Sequence, residues 1–431
     1  MILVGVQFKG PRPRTNGNGS TGARNPTRSE VMGEHLDELE RLVDTAGAVV
    51  VGQIVQQIDK PNPATYLGKG KIEELAQRIS DTRATLIIFD DELTPAQGKN
   101  IEDATGQRVM DRAELILDIF ATRARSSEAR MQVELAQLQY MLPRLTRMWS
   151  HLEKFRGGIG VRGPGETQLE TDRRLINNRI KILRQRLEDV QKSREVQRTS
   201  RKGEFRASLV GYTNAGKSSV LRGLSGSNAV FVEDRLFATL DPLTREVQLA
   251  ENSSILLTDT VGFIRKLPHH LVASFRATLE EVKEADLLLH VIDASHPTWE
   301  EQRVVVEGVL GDIGVTGKPV LHVFNKIDRL PENELLPLES RIANLIPDSV
   351  FVSSVVPDGL EPLRRSLLAA VRLRKPVTVV RLPVTAGKLL AEIHREAEVI
   401  DQTAEGEEMV LRARMDAALA GRLKRAGAEI G

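Results

Sequence analysis

The stretch that decides the fold is Arg206-Ala207-Ser208-Leu209-Val210-Gly211-Tyr212-Thr213-Asn214-Ala215-Gly216-Lys217-Ser218-Ser219. An apolar strand, Ala207–Val210, runs into a glycine-bounded loop ending in Lys-Ser, and a helical segment, Ser219–Leu224, follows. This is a phosphate loop in its strand–loop–helix setting. Gly211 and Gly216 let the backbone of Tyr212, Thr213, Asn214 and Ala215 wrap phosphate oxygens. Lys217 is expected to bridge the β- and γ-phosphates, Ser218 to reach Mg²⁺, and Ser219 to extend the donor-rich helix start.

Working outward, residues 206–372 alternate strand and helix, which predicts a P-loop α/β domain over 203–373. Ile255–Leu257 reads as a buried strand ending in Asp259-Thr260-Val261-Gly262. Asp259 there can hold Mg²⁺ through water, and the Gly262 N–H can sense the γ-phosphate. Val320–Phe324 runs into Asn325-Lys326-Ile327-Asp328. A carboxylate at Asp328 can accept both N1–H and N2–H₂ of guanine; against adenine its acceptors stay unpaired, so the motif selects GTP over ATP. Lys326 is expected to cover the base and Asn325 to brace the phosphate loop. Ser353 and Ser354, ending a strand, are candidates to cup the base edge by backbone N–H, although such serines also simply form turns.

Between the phosphate loop and Asp259 lies Leu236-Phe237-Ala238-Thr239-Leu240-Asp241-Pro242. A mobile switch belongs at this place, with Thr239 as the hydroxyl for Mg²⁺, Thr244 as its rival, and Phe237 and Ala238 beside the nucleotide. The catalytic set is thus Lys217, Thr239 and Gly262; the metal set is Ser218, Thr239 and, through water, Asp259. Phe263 stands where many such enzymes place a water-orienting Gln, so unassisted turnover is expected to be slow. Asn214 offers a carbonyl to a monovalent cation such as K⁺, or only stabilises the loop; its residue type leaves both open. His290 and His322 sit in apolar strands and read as core residues, not ligands.

The rest of the 431 residues fits around this domain. Apolar residues make up 41% and charged residues 28%, a globular composition. The absence of cysteine excludes disulfides, iron–sulfur clusters, thiol nucleophiles and Cys-ligated zinc, and suits a reducing, cytoplasmic setting. No apolar run reaches membrane-span length, and the opening MILVGVQFKG reads as a strand rather than a signal peptide. Residues 1–125 alternate strands (Ile2–Phe8, Ala48–Val55, Thr85–Phe89, Arg108–Met110) with helices (30–45, Lys71–Ile79, Pro95–Ala104 and onward from Arg112), predicting an N-terminal parallel α/β domain. Its residues 10–28, rich in Pro, Gly, Asn and Arg, read as a mobile insert.

Residues 126–202 carry two apolar seams of 3.5-residue period, Met131 to Leu152 and Ile176 to Val190, separated by the five glycines and one proline of Gly157–Gly165. The expectation is an antiparallel helical hairpin arm with a glycine-rich tip at 157–165, its first helix interrupted at Pro143. Net charge over the chain is only +1, yet residues 143–202 hold sixteen Lys/Arg against seven Asp/Glu. Lys154, Arg156 and Arg162 flank the tip, whose exposed backbone suits a nucleic acid phosphate chain. Dimerisation arm, spacer and solvated helical face are the competing readings. Residues 374–431 read as strand, helix, two strands and helix, a small α+β C-terminal domain.

The assembled pattern resembles the HflX family of translational GTPases over nearly the whole chain. The residues that carry the resemblance are AELILDIFATRARSSEARMQVELAQLQY (113–140), GGIGVRGPGETQLETD (157–172), FATLDPLTR (237–245), DTVGFIRKLPHHLVASFRATLEEV (259–282) and ADLLLHVIDAS (285–295). The resemblance implies a protein that binds the large ribosomal subunit and its RNA, directs the arm toward the peptidyl-transferase centre, and dissociates stalled or idle ribosomes, often under stress. It also implies a C-terminal domain that touches the ribosome, ribosomal proteins included, and a monomer when ribosome-bound. Ser353-Ser354-Val355 departs from the family's usual Ser-Ala-Lys. Two alternatives stand beside this one: a large-subunit assembly factor, and an ATP-dependent RNA remodeller centred on the N-terminal domain. For the latter, Gly68-Lys69-Gly70-Lys71 precedes a helix but lacks full phosphate-loop spacing and reads as a basic turn.

Overall fold

A computed structural model describes residues 1–8, 28–145, 164–199, 204–226, 235–251, 253–267 and 281–431. Contacts group the chain into two compact units. One comprises Met1–Lys192 with the segments Asp234–Asp241 and Arg265–Arg276; the other comprises Ser193–Glu233, Pro242–Ile264 and Ala277–Gly431. Among the described residues no helix is long and apolar enough to cross a membrane.

The first unit holds a four-stranded, wholly parallel sheet in the order β2-β1-β3-β4, from β1 (Ile2–Phe8), β2 (Gly52–Ile58), β3 (Leu86–Phe89) and β4 (Arg108–Asp111). The helices α1 (Arg28–Thr45), α2 (Lys69–Thr82), α3 (Pro95–Thr105) and α4 (Arg112–Arg123) alternate with them, as a parallel sheet requires. Ile54, Leu75, Ile87, Phe89 and Ile101 pack together as one core. β2 starts four residues later than the sequence suggests, because Ala48–Val51 precede the paired register, which opens at Ile2 opposite Gly52. Arg28 already opens α1, so the expected insert loses its last residue; its residues 10–27 lie outside the described set.

After α4 come α5 (Ser127–Met141), a 3₁₀ turn at Leu142–Arg144 and α6 (Pro164–Thr199). Pro143 sits inside the turn that ends α5, as its missing N–H dictates. Leu135, Ile180 and Leu183 bury the seam between α5 and α6, with Met131, Leu138 and Leu187 against them. The Glu134 carboxylate accepts both Nε and Nη2 of Arg179 across the same seam, at 2.6 and 2.8 Å. Helix α6 begins at Pro164, inside the expected tip; proline suits a first helical position because its missing N–H would bond to nothing there. Trp149, Leu152, Lys154, Arg156, Arg162 and the tip glycines through Gly163 lie outside the described residues.

The second unit contains a six-stranded sheet in the order β10-β9-β8-β5-β7-β6. Its strands are β5 (Arg206–Gly211), β6 (Leu243–Ala250), β7 (Ser253–Asp259), β8 (Leu287–Asp293), β9 (Val320–Asn325) and β10 (Ser349–Phe351). All pairs are parallel except β6 with β7. The helices are α7 (Lys217–Ser225), α8 (Trp299–Asp312), α9 (Glu332–Leu345) and α10 (Glu361–Arg374). β8 is buried along its entire length, which explains its unbroken run LLLHVID. The C-terminal sheet runs β12-β13-β11-β14, antiparallel, from β11 (Val377–Pro383), β12 (Glu398–Glu405), β13 (Glu408–Arg414) and β14 (Glu429–Ile430), with α11 (Gly387–Glu396) and α12 (Ala417–Arg425). The short β14 is the one element of this region that the sequence does not signal.

Candidate functional site

Four parallel strands end at one place, because adjacent strands in register carry their C-terminal residues to the same edge. β5 delivers Gly211 and the phosphate loop, β7 delivers Asp259, and β8 and β9 deliver the register-paired Asp293 and Asn325.

Gly216 caps the start of α7 with φ +96°, and a Cβ there would lie 2.2 Å from Asn325 Nδ2. Only glycine lets the loop pass so close. Asn325 uses that closeness: its Nδ2 donates to the Ala215 carbonyl at 3.0 Å, and its Oδ1 accepts from the Ser354 N–H at 3.2 Å. The expected brace is therefore in place. Asn214 adopts a left-handed φ of +59°, and its backbone carbonyl accepts from Lys326 Nζ at 2.7 Å.

Lys217 is buried, and its Nζ donates to the carbonyls of Tyr212 (2.9 Å) and Gly211 (3.2 Å). Burial pulls its ammonium down to about 8; the Asp259 carboxylate opposes that shift, and Lys326 adds to it. Ser218 Oγ donates to Asp259 Oδ2 at 2.6 Å. Two hard oxygens meeting beside the phosphate loop fit Mg²⁺, which takes one or two protein oxygens and completes its shell with water and phosphate. Thr260 is fully buried and ties its hydroxyl to the Leu209 carbonyl at 2.6 Å, a structural role.

Gly262 is the second position where glycine is required: a Cβ would meet Thr213 Cα at 2.7 Å and Lys217 Nζ at 3.0 Å. The next residue closes the approach. Phe263 N–H donates to the Gly211 carbonyl at 3.0 Å, and Thr213 N–H donates to the Phe263 carbonyl at 2.6 Å. Phe263 is thus buried, held by its backbone across the phosphate loop, with a ring that polarises no water.

Asp328 lies in a 3₁₀ turn, Ile327–Arg329, after Lys326 at φ +64°. Ser353 Oγ donates to Asp328 Oδ1 at 2.5 Å and so orients the carboxylate. Ser353 N–H donates to the Gly359 carbonyl, and Ser354 N–H is engaged by Asn325. The Thr244 hydroxyl shares a 2.8 Å bond with that of Thr258 inside the β6–β7 pair.

Phe237, Ala238 and Thr239 belong to the first unit, not to the group just described. Within that unit the Phe237 ring meets Phe120 of α4 edge-on, 4.6 Å between centroids. Asp241 accepts from the N–H groups of Arg125 and Ser126 at 3.2 and 3.1 Å and from the Ser126 hydroxyl. In the other direction, sequence reasoning missed Asp293. Its Oδ2 accepts from Lys326 Nζ at 2.7 Å and its Oδ1 from Ser295 Oγ at 2.6 Å, so it steers the lysine assigned to the base. The signal was available: one acid ends the otherwise apolar β8 directly opposite Asn325.

Comparisons agree with this geometry. Residues 33–121, 123–201 and 206–326 match family models described as "GTP-binding GTPase N-terminal", "GTP-binding GTPase Middle Region" and "50S ribosome-binding GTPase". The chain is 54% identical to the GTPase HflX of Caldanaerobacter subterraneus subsp. tengcongensis, covering 70% of this chain and 71% of that protein. Against the GTPase HflX of Magnetococcus marinus it is 48% identical, covering 86% of each. The GTPase HflX of Escherichia coli is 45% identical, covering 84% of this chain and 85% of that protein. With the nucleotide motifs assembled and relatives this similar over most of their length, the chain belongs to the HflX family of GTPases, and its reaction is the hydrolysis of GTP.

Proposed function

We propose that this chain is a cytoplasmic, Mg²⁺-dependent, GTP-switched factor that binds the large ribosomal subunit and dissociates stalled or idle ribosomes, with stress as the occasion. The observation that carries the reading is Phe263, buried against the phosphate loop where a water-orienting side chain would be needed. A GTPase built this way holds its substrate until a partner orders the attacking water. The partner chemistry follows from the basic segment 143–202 and from the match of residues 206–326 to a family described as 50S ribosome-binding.

In this reading Asp328, aligned by Ser353, accepts the two guanine donors, while Lys326, steered by Asp293, lies along the base. Lys217 moves from the loop carbonyls to the β- and γ-phosphates. Ser218, Asp259 through water and Thr239 would hold Mg²⁺, which would supply charge neutralisation to the transferring phosphoryl group. GTP orders the segments around Thr239 and Gly262 and stabilises the ribosome-bound form; hydrolysis releases it. Asn214 is proposed to help a K⁺ ion bind near the phosphates, supplying positive charge that an arginine would otherwise bring. The C-terminal domain adds ribosomal contacts, and the bound form is a monomer.

Sedimentation with purified large subunits tests the switch. Co-sedimentation is expected with a non-hydrolysable GTP analogue and is expected to be lost with GDP. Equal binding in both states would remove the reading. Turnover measured with and without subunits then tests the role given to Phe263: acceleration by the subunit is expected.

A further inference from the structure

The second unit carries a cluster that GTP chemistry does not use. His290 on β8 and His322 on β9 are register partners, so their rings emerge side by side on one sheet face, 5.5 Å apart. Helix α8 covers this face: its Trp299 packs with Ile292 and Phe324, two residues beyond each histidine. Farther along α8, Glu307 brings Oε1 to 3.9 Å from His322 Nε2. One donor atom from each of the three lies within 4.8 Å of the others, and among the described residues no other such group of three or more is found.

The environment suits a metal ligand set. His290 is buried, and the His322 side chain is only 15% exposed. The Asp348 backbone hydrogen-bonds the His322 ring, the kind of support a metal-ligating imidazole commonly has on its second nitrogen.

We propose that His290, His322 and Glu307 form a binding site for one borderline transition-metal ion of the Zn²⁺ type, separate from the Mg²⁺ position at Ser218 and Asp259. Two imidazoles favour such an ion over Mg²⁺ or Ca²⁺, which take oxygen ligands. Bonds of about 2.1 Å place tetrahedral donors roughly 3.4 Å apart, so the cluster must contract by about 1 Å. The half-exposed Glu307 can supply that movement. Its competitor is Arg303, whose Nη1 pairs with Glu307 Oε1 at 2.8 Å; the ion must displace it. Once bound, the ion ties α8 to two strands three residues before Asp293 and Asn325, at the floor of the guanine side of the site.

The test uses the untagged full chain saturated with GDP and Mg²⁺, titrated with Co²⁺ as a spectroscopic stand-in for Zn²⁺. One equivalent is expected to give the intense visible bands of four-coordinate cobalt, and one equivalent of Zn²⁺ to erase them. His322→Leu should abolish the bands, and Glu307→Gln should weaken binding at least about tenfold. Arg303→Gln, which frees the carboxylate, should tighten binding. Absence of the bands at one equivalent, or their persistence in His322→Leu, overturns the site. Glu307 is exposed and Arg303 partly so, and the answer therefore does not depend on a core substitution folding.

Discussion

Ser353 Oγ donates to Asp328, and in the proposed reading that one hydroxyl sharpens base selection. Asp328→Asn turns one acceptor into a donor against the guanine edge, so GTP affinity should fall at least about hundredfold while xanthosine triphosphate gains. Ser353→Ala leaves the carboxylate in place but unaligned, and a loss of about fivefold is expected, the worth of one net hydrogen bond. Equilibrium titration with both nucleotides reads the two variants; unchanged GTP affinity in Asp328→Asn would contradict the assignment. Lys217 makes a second prediction at this scale. Its ammonium titrates near 8 in the free site, and phosphate binding requires the charged form. Binding therefore takes up a proton as the pH rises past 8, and affinity should drop roughly fourfold between pH 7 and 8.5. Calorimetry in buffers of different ionisation enthalpy measures that uptake directly; a flat profile would show that Lys217 is already fully charged.

At the scale of elements, the turn after Phe263 is fastened within the first unit by a buried ion cluster. Asp90, at the end of β3, accepts from Arg112 at 2.8 Å, from Arg265 at 2.8 and 3.0 Å and from Lys266 at 2.7 Å. Glu38 of α1 pairs with both Arg112 and Arg265. Burial by itself would raise the Asp90 carboxyl, but the three cations around it hold it well below the usual carboxylate range. A depressed carboxylate contributes stability that is present above about pH 4 and lost as the pH falls below it. Asp90→Asn takes one carboxylate from the Arg112 guanidinium, 1% exposed, leaving Glu38 beside it, and should destabilise the first unit by about 3 kcal/mol. Denaturant unfolding at pH 7 measures this. The gap between variant and parent should narrow toward pH 3; a gap constant with pH would mean that Asp90 acts by packing alone. None of this is legible in a window of sequence. The DTVGFIRK run is recognisable as a switch, but the partners of Arg265 and Lys266 lie about 175 residues away and are chosen only by the fold.

At the scale of the whole molecule, the proposed function gives nucleotide chemistry and polyanion contact to different parts of the chain, and deleting residues 157–165 should separate them. GTP affinity should be unchanged, whereas acceleration of hydrolysis by large subunits and ribosome dissociation should be lost; persistence of both would make the α5–α6 pair a spacer. The sequence by itself determined the alternation of strand and helix on both sides of Pro143, the seam of α5 and α6, the P-loop domain and the guanine motif. Each of these rests on local periodicity or on residues adjacent in the chain, where backbone geometry follows from neighbours. Tertiary structure alone decided that Phe237 packs on Phe120, that Asp293 pairs with Lys326, and that the Ser353 hydroxyl bonds Asp328. It likewise set His290 beside His322. These are contacts between residues 25 to 117 positions apart, and their identity depends on strand order and register, which no short stretch of chain encodes.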